Sequence, residues 1–161
     1  MTTPVLFKRH FQVAYVTDDA KAAAEILGRH YGVAKWDLMD MAAIHGPGSA
    51  TRIIGNAWVG DMMIEVIEPD ENVDSIYRNW RKGSIAKVRF HHLGFLVDSV
   101  EEMEAAKRQL AASGFPIVVD GSFGEVLDYA YADTTAELGH YYEMIRLKEQ
   151  GQSFFGRIPV N

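Results

Sequence analysis

Residues 92–110 read HLGFLVDSVEEMEAAKRQL, and residues 12–27 read QVAYVTDDAKAAAEIL. Each is a short strand pattern with two distinct faces, running through a polar turn into an amphipathic helix pattern. Each is followed, after a nearly equal interval, by a glutamate inside another strand: Glu65 in MMIEVIEP (62–69) and Glu143 in YYEMIRL (141–147). Glu65 follows Gln12 by 53 positions, and Glu143 follows His92 by 51. Self-similarity at this spacing predicts a duplicated unit. Each copy carries a polar residue on its first strand and a carboxylate on its last, which suits a site shared between two halves. Gln12, Glu65, His92 and Glu143 make a quartet of nitrogen and oxygen donors fit for a divalent cation.

Outward from these strands, the first copy reads β-α-β-β-β. Thr17 and Asp18 are candidate N-caps of a helix to about Tyr31, with Ala23, Ile26, Leu27 and Tyr31 as its inner stripe and Gly32 as its stop. Strand-like runs follow at 35–44, 51–59 and 61–68, the last two joined by a tight turn at Gly60 and Asp61. A joining segment carries a short helix capped by Asp74. The second copy repeats the order with a strand at 90–98, a capping box of Ser99 and Glu102, and a helix stripe of Val100, Met103, Ala106 and Leu110. Strands at 117–120, 126–132 and 140–147 complete it. The expectation is one α+β domain over 1–161, built as module one (about 9–69), a linker (about 70–88), module two (about 89–147) and a tail (148–161). The tail is mostly polar, but Phe154, Phe155 and Ile158 predict that it docks.

The chain has 161 residues and a formal net charge of −6, which argues against a nucleic-acid partner. It has no cysteine, so disulfides and thiolate chemistry are excluded. The N-terminal stretch MTTPVLFKRHF lacks the apolar core of a signal peptide, and no apolar run is long enough to span a bilayer. A cytoplasmic protein with no membrane partner is expected. No Gly-rich phosphate loop opens a helix, since Gly46 to Gly48 is too short for one.

Three stretches carry a family resemblance: IEVIEP, HHLGFLVDS and DTTAELGHYYEMI. With the duplication, they resemble the vicinal oxygen chelate superfamily over about residues 9–147, nearest to the glyoxalase I and methylmalonyl-CoA epimerase branch. That resemblance implies two tandem βαβββ modules forming a cup-shaped, mixed, mostly antiparallel sheet. It implies one divalent metal ion (Ni, Co, Mn, Zn or Mg) held by one residue from each of four strands. By position those residues are Gln12, Glu65, His92 and Glu143, with Glu143 or Glu65 as the proton-shuttling base. It further implies a lyase or isomerase acting next to a carbonyl group on a small-molecule substrate, and a homodimer. The alternatives are a non-catalytic protein that binds an apolar or aromatic compound, and a ring-cleaving dioxygenase. The latter would want two histidines and one carboxylate at iron.

The chain departs from the family at Gln12, where the family usually has histidine. Gln12 could ligate through its amide oxygen, His10 could reach in from two positions earlier on the same strand face, or metal could bind weakly or not at all. Same-face neighbours predict a mostly apolar pocket of Ala14, Met63, Ile67, Leu96, Tyr141 and Ile145. Each singled-out residue also has a plain structural reading. Glu65 and Glu143 could be partnered carboxylates in apolar strands, and His92 a satisfied strand histidine. His91 must point to the opposite face, His140 suits a hydrogen-bonding role, and Asp133 suits a turn cap.

Overall fold

The structure is a computed structural model that describes residues 4–161. Its contacts divide the chain into two compact units. Unit one joins the N-terminal segment through Gln12 to His92–Arg157, and unit two joins Val13–His91 to Ile158–Asn161. Strands β1 (His10–Thr17) and β5 (Val88–Val97) each contribute to both. The fold is α+β with a mixed, mostly antiparallel sheet, as the duplicated pattern predicts. Among the described residues, no helix is long and apolar enough to cross a membrane.

In unit two, helix α1 (Ala20–Tyr31) is followed by β2 (Asp37–Asp40), α2 (Met41–His45), β3 (Thr51–Val59), β4 (Met62–Pro69) and α3 (Ile76–Arg81). The strand order is β2-β3-β4-β1, and both β2-β3 and β3-β4 are antiparallel. Asp19, rather than Thr17 or Asp18, caps α1: its side chain accepts from the Ala22 N–H at 3.0 Å. Gly32 ends the helix at φ 78, the left-handed turn that a side chain disfavours. Ala20 and Ala23 pack on Val66 with Leu27, Trp36 and Ile53 around them, whereas Tyr31, expected on this stripe, is 73% exposed. Buried Glu68 sits at the mouth of α1, accepting from the Ala20 N–H at 3.0 Å and pairing with Arg52. A carboxylate there complements the positive end of the helix.

The strand expected over 35–44 is confined to Asp37–Asp40. The Asp40 carboxylate accepts from the Ala43 N–H at 3.1 Å and starts a helical turn where the apolar run suggested more strand. Helix α3 is likewise capped by Ser75, while Asp74 accepts from Asn79 instead. The end of the tail docks as expected: Ile158 is buried, Trp58 bridges to Val160, and the Asn161 side chain accepts from the N–H groups of Ala34 and Lys35.

Unit one adds α4 (Val100–Ala112), β6 (Ile117–Phe123), β7 (Leu127–Ala132), α5 (Thr135–Leu138), β8 (Tyr141–Leu147) and α6 (Gly151–Arg157) to its share of β1 and β5. Its order is β5-β8-β7-β6, with β5 and β8 parallel and the other pairs antiparallel. The short helices α5 and α6 have no counterpart in the sequence pattern. Ser99 caps α4 through the Glu102 N–H at 3.0 Å, and the Glu102 carboxylate accepts from the Asp98 N–H at 2.6 Å, one residue before the Ser99 N–H that the expected capping box would use. Met103, Ala106 and Leu110 pack on Phe95, Ala130, Tyr142 and Met144. Val100, placed on that stripe by its spacing, is 51% exposed in the first turn of the helix. One face of this sheet is thus an apolar core under α4. The alternation of strand side chains turns His92, Gly94, Tyr131, Tyr141, Glu143 and Ile145 to the other face.

Candidate functional site

The site face of unit one brings together three of the four expected ligands. Strand β5 presents His92, fully buried, and β8 presents Glu143, only 4% exposed. Gln12, 3% exposed, enters from β1 and lies across Gly94. A Cβ at position 94 would fall 2.7 Å from Gln12 Oε1, so glycine there is what lets the amide lie down. His92 Nε2 is 3.3 Å from Gln12 Oε1 and 3.1 Å from Glu143 Oε2. Glu143 Oε2 makes no hydrogen bond.

The contact between His92 and Glu143 has the length of an ion pair, but burial disfavours charge on both partners. Burial pushes the Glu143 carboxyl up to about 8, against a lowering hydrogen bond from Tyr131. Burial, and then the neighbouring His140, push the His92 imidazole down to about 3. The resting pair is therefore a neutral imidazole beside a carboxyl that holds its proton at neutral pH.

The residues present fit a divalent cation. Cis ligands at bond lengths near 2.1–2.3 Å stand roughly 3.0–3.3 Å apart, and the three donor atoms meet within that spacing around one ring nitrogen. The imidazole is already in the neutral form a metal needs, and Glu143 Oε2 is a buried acceptor without a hydrogen bond. Among the described residues, no group of three or more His, Cys, Asp or Glu side chains could hold a metal ion. Within unit one, the third donor beside His92 and Glu143 is the Gln12 amide.

Other expected site residues lie as follows. His10 Nε2 donates to the Gln12 carbonyl at 2.9 Å, and its ring lies 5.1 Å from Phe95. Glu65 lies half-buried on β4 of unit two, directly opposite Asn56 on β3. Ala14, Met63 and Ile67 are buried in unit two. Tyr141 and Ile145 are buried and Leu96 half-buried in unit one. His91 is buried against Tyr77, 5.1 Å between ring centres, on the face opposite to His92. His140 Nδ1 meets the Tyr141 carbonyl at 2.8 Å, and Asp133 accepts from the Thr135 N–H at 3.1 Å as a turn cap.

A family model described as the glyoxalase/bleomycin resistance protein/dioxygenase superfamily matches residues 11–131. The chain belongs to this superfamily. The matched stretch holds Gln12, Glu65 and His92 and ends before Glu143. A search of curated proteins finds no match. Among solved structures, the methylmalonyl-CoA epimerase of Mycobacterium tuberculosis is similar at a TM-score of 0.64 and 16% identity, over 95% of this chain and 97% of that one. A Streptomyces coelicolor methylmalonyl-CoA epimerase in complex with 2-nitronate-propionyl-CoA is similar at 0.62 and 16%, over 86% and 96%. A methylmalonyl-CoA epimerase in complex with methylmalonyl-CoA and NH4+ is similar at 0.62 and 16%, over 86% and 94%. At these identities the likeness is one of superfamily fold.

Two residues that this superfamily member places at the cluster carry no signal in the sequence pattern. Tyr131 on β7 stands directly opposite Glu143, donates to its carboxylate, and meets the His92 ring edge-on at 5.0 Å. Tyr129, two positions earlier, lies over Gly121, where a Cβ would fall 2.8 Å from its hydroxyl. Burial, and then the Glu143 charge, raise the Tyr129 phenol, so it stays protonated.

Proposed function

We propose that the protein is a divalent-metal-dependent lyase or isomerase that moves a proton at a carbon next to a carbonyl group. The observation that carries this reading is the Gln12, His92 and Glu143 cluster, where a buried carboxylate oxygen without a hydrogen bond meets a neutral imidazole and an amide oxygen. Gln12 Oε1, His92 Nε2 and Glu143 would hold the ion (Ni, Co, Mn, Zn or Mg), which supplies Lewis-acid stabilisation of charge building on the carbonyl oxygen. In its ionised form Glu143 takes the proton from the adjacent carbon and returns it. Its burial raises its basicity toward neutral pH, where a base of this kind works best. Tyr131 fixes the carboxylate by its hydrogen bond. Leu96, Tyr141 and Ile145 on the same sheet face give the substrate an apolar wall and exclude water. An acyl thioester or a 2-oxo compound with a sizeable apolar part suits that wall.

Solvent deuterium exchange into a panel of 2-oxo compounds and acyl thioesters, followed by NMR with and without EDTA, tests the reading whatever the overall reaction is. Metal-dependent exchange at the carbon next to the carbonyl is expected. The second reading, a binding protein for an apolar or aromatic compound, is favoured by Gln12, since a neutral amide is a weak ligand. Absence of exchange, together with tight apolar ligand binding in EDTA, would transfer the function to it. We also propose a homodimer, for which light scattering should give about twice the 18.0 kDa chain mass.

A further inference from the structure

Val100 has the spacing of a core residue on α4 yet is 51% exposed, and the reason lies beneath it. Register sets Asp120 of β6, Ala130 of β7 and Met144 of β8 in one row, and Ser122, Asp128 and Arg146 in the next. Both rows lie on the sheet face that α4 covers. Met103 packs on the first row through Ala130 and Met144. The second row is polar, and beside it the first turn of α4 leaves a cleft of about 280 Å3 with Val100 and Met103 as its apolar wall. The cleft is wholly within unit one, on the opposite sheet face from His92 and Glu143. Drug-sized ligands fill roughly 300–1,000 Å3, so the space suits something smaller.

The charges are layered. Lys107 donates to Asp120 at 2.6 Å and pairs with Glu104. Arg146 Nε donates to Asp128 at 3.1 Å, and Asp128 also accepts from the Ser122 hydroxyl. The two cations lie deep, their side chains 14% and 22% exposed, while Glu104 and Asp120 stand at the rim, 47% and 56% exposed. Burial opposes charge on Lys107, but hydrogen bonds to Asp120 and Glu104 raise it; burial likewise opposes charge on Asp128, but those from Ser122 and Arg146 lower it. Both stay ionised at neutral pH. An ammonium has three donors and a guanidinium five, so N–H groups remain inside beyond these contacts. Each rim carboxylate meets Lys107 through one oxygen, Glu104 Oε1 and Asp120 Oδ2, and has a second to offer.

We propose that this cleft binds a small zwitterion with an apolar side chain, the chemistry of a free aliphatic α-amino acid. Its carboxylate takes the inner N–H groups of Lys107 and Arg146, its ammonium meets Glu104 and Asp120, and its side chain covers Val100. A ligand with the cation alone leaves the inner donors unmatched. One with the anion alone meets three carboxylates against two cations.

The cleft shares no residue with the metal cluster, so titration of the isotope-labelled chain in EDTA reads it separately. Leucine, 3-methylbutylamine and 4-methylpentanoate share a branched skeleton and carry both charges, the cation alone and the anion alone. Leucine should shift the signals of the Val100 methyls and the Gly121 amide, both at the cleft. It should bind roughly tenfold tighter than either half, the worth of one charge-assisted hydrogen bond. Lys107→Met keeps the stem and removes the ammonium, and should weaken leucine and 4-methylpentanoate roughly tenfold but not the amine. Asp120→Asn, at an exposed position, should weaken leucine and the amine but not the carboxylate, and it decides the matter if the Met variant fails to fold. Equal affinity for the three probes overturns the proposal. So do shifts at Tyr131 in place of Val100 and Gly121, no shifts at all, or affinities unchanged in both variants.

Discussion

Glu143 and Glu65 occupy equivalent places in the two copies of the duplicated module, on the last strand and opposite a residue of the strand before it. The residues opposite them differ. Glu143 faces Tyr131, whose hydroxyl donates to it, while Glu65 faces Asn56, whose own oxygen has no hydrogen bond. The first-strand residues differ too, with His92 in the second copy and Gln12 in the first. One strand pair therefore sets a phenol against its carboxylate, and the other a side-chain amide. The same backbone pairing thus carries different side-chain partners in the two copies.

The largest expected effect breaks the unit-one cluster. Glu143→Gln removes both the base and the anionic ligand, and should reduce metal-dependent deuterium exchange by roughly 100-fold or more, with a matching loss of metal uptake by elemental analysis. Gln12→His should act in the opposite direction. An imidazole in place of the amide should tighten Zn or Ni binding by roughly tenfold or more in calorimetry, since imidazole suits these ions better than a neutral amide does.

The pH dependence of apoprotein stability separates the partners within the cluster. The folded Glu143 carboxyl is raised to about 8, so the folded chain holds a proton that the unfolded chain gives up. Stability should be full below the ordinary glutamate range and decline as pH rises toward 8. The folded His92 imidazole is lowered to about 3, so stability should also decline as pH falls below the ordinary histidine value toward 3. Urea denaturation across pH should give a bell, and Glu143→Gln should flatten its alkaline side alone. The smallest effects sharpen the comparison directly. Tyr131→Phe strips a donor from a buried carboxylate and should cost about 1–2 kcal/mol, whereas Asn56→Ala, which removes an oxygen without a hydrogen bond along with the amide, should cost less. Equal losses in the two denaturation curves would erase the difference between the two strand pairs.

The helix–strand alternation was legible because period-2 and period-3.6 patterns, Gly32 and the Ser99 cap are local signals. What escaped was set by pairing. Asn56 could have been found: the two-residue turn at Gly60 and Asp61 pairs Val59 with Met62, and counting back places Asn56 against Glu65. Tyr131 could not be found this way, because its register with Glu143 runs through α5, a helical turn that the sequence pattern did not disclose. The buried Glu68 was missed for another reason. Its partner is the open end of a helix, which no spacing in the strand MMIEVIEP announces. The short helix α2 replaced expected strand because a single cap at Asp40 outweighed the β-like run after it.

Gly94 and Gln12 behave as one inherited choice made at two places in the chain. A side chain at 94 would strike the Gln12 amide before it met anything else, so even an alanine there would register as a change in what residue 12 can reach. Conversely, a lineage that shortened residue 12 would release position 94 to vary. Among relatives of this chain, glycine at 94 should then travel with a long donor at 12, and a joint change at the pair would mark where the first-strand ligand had been given up.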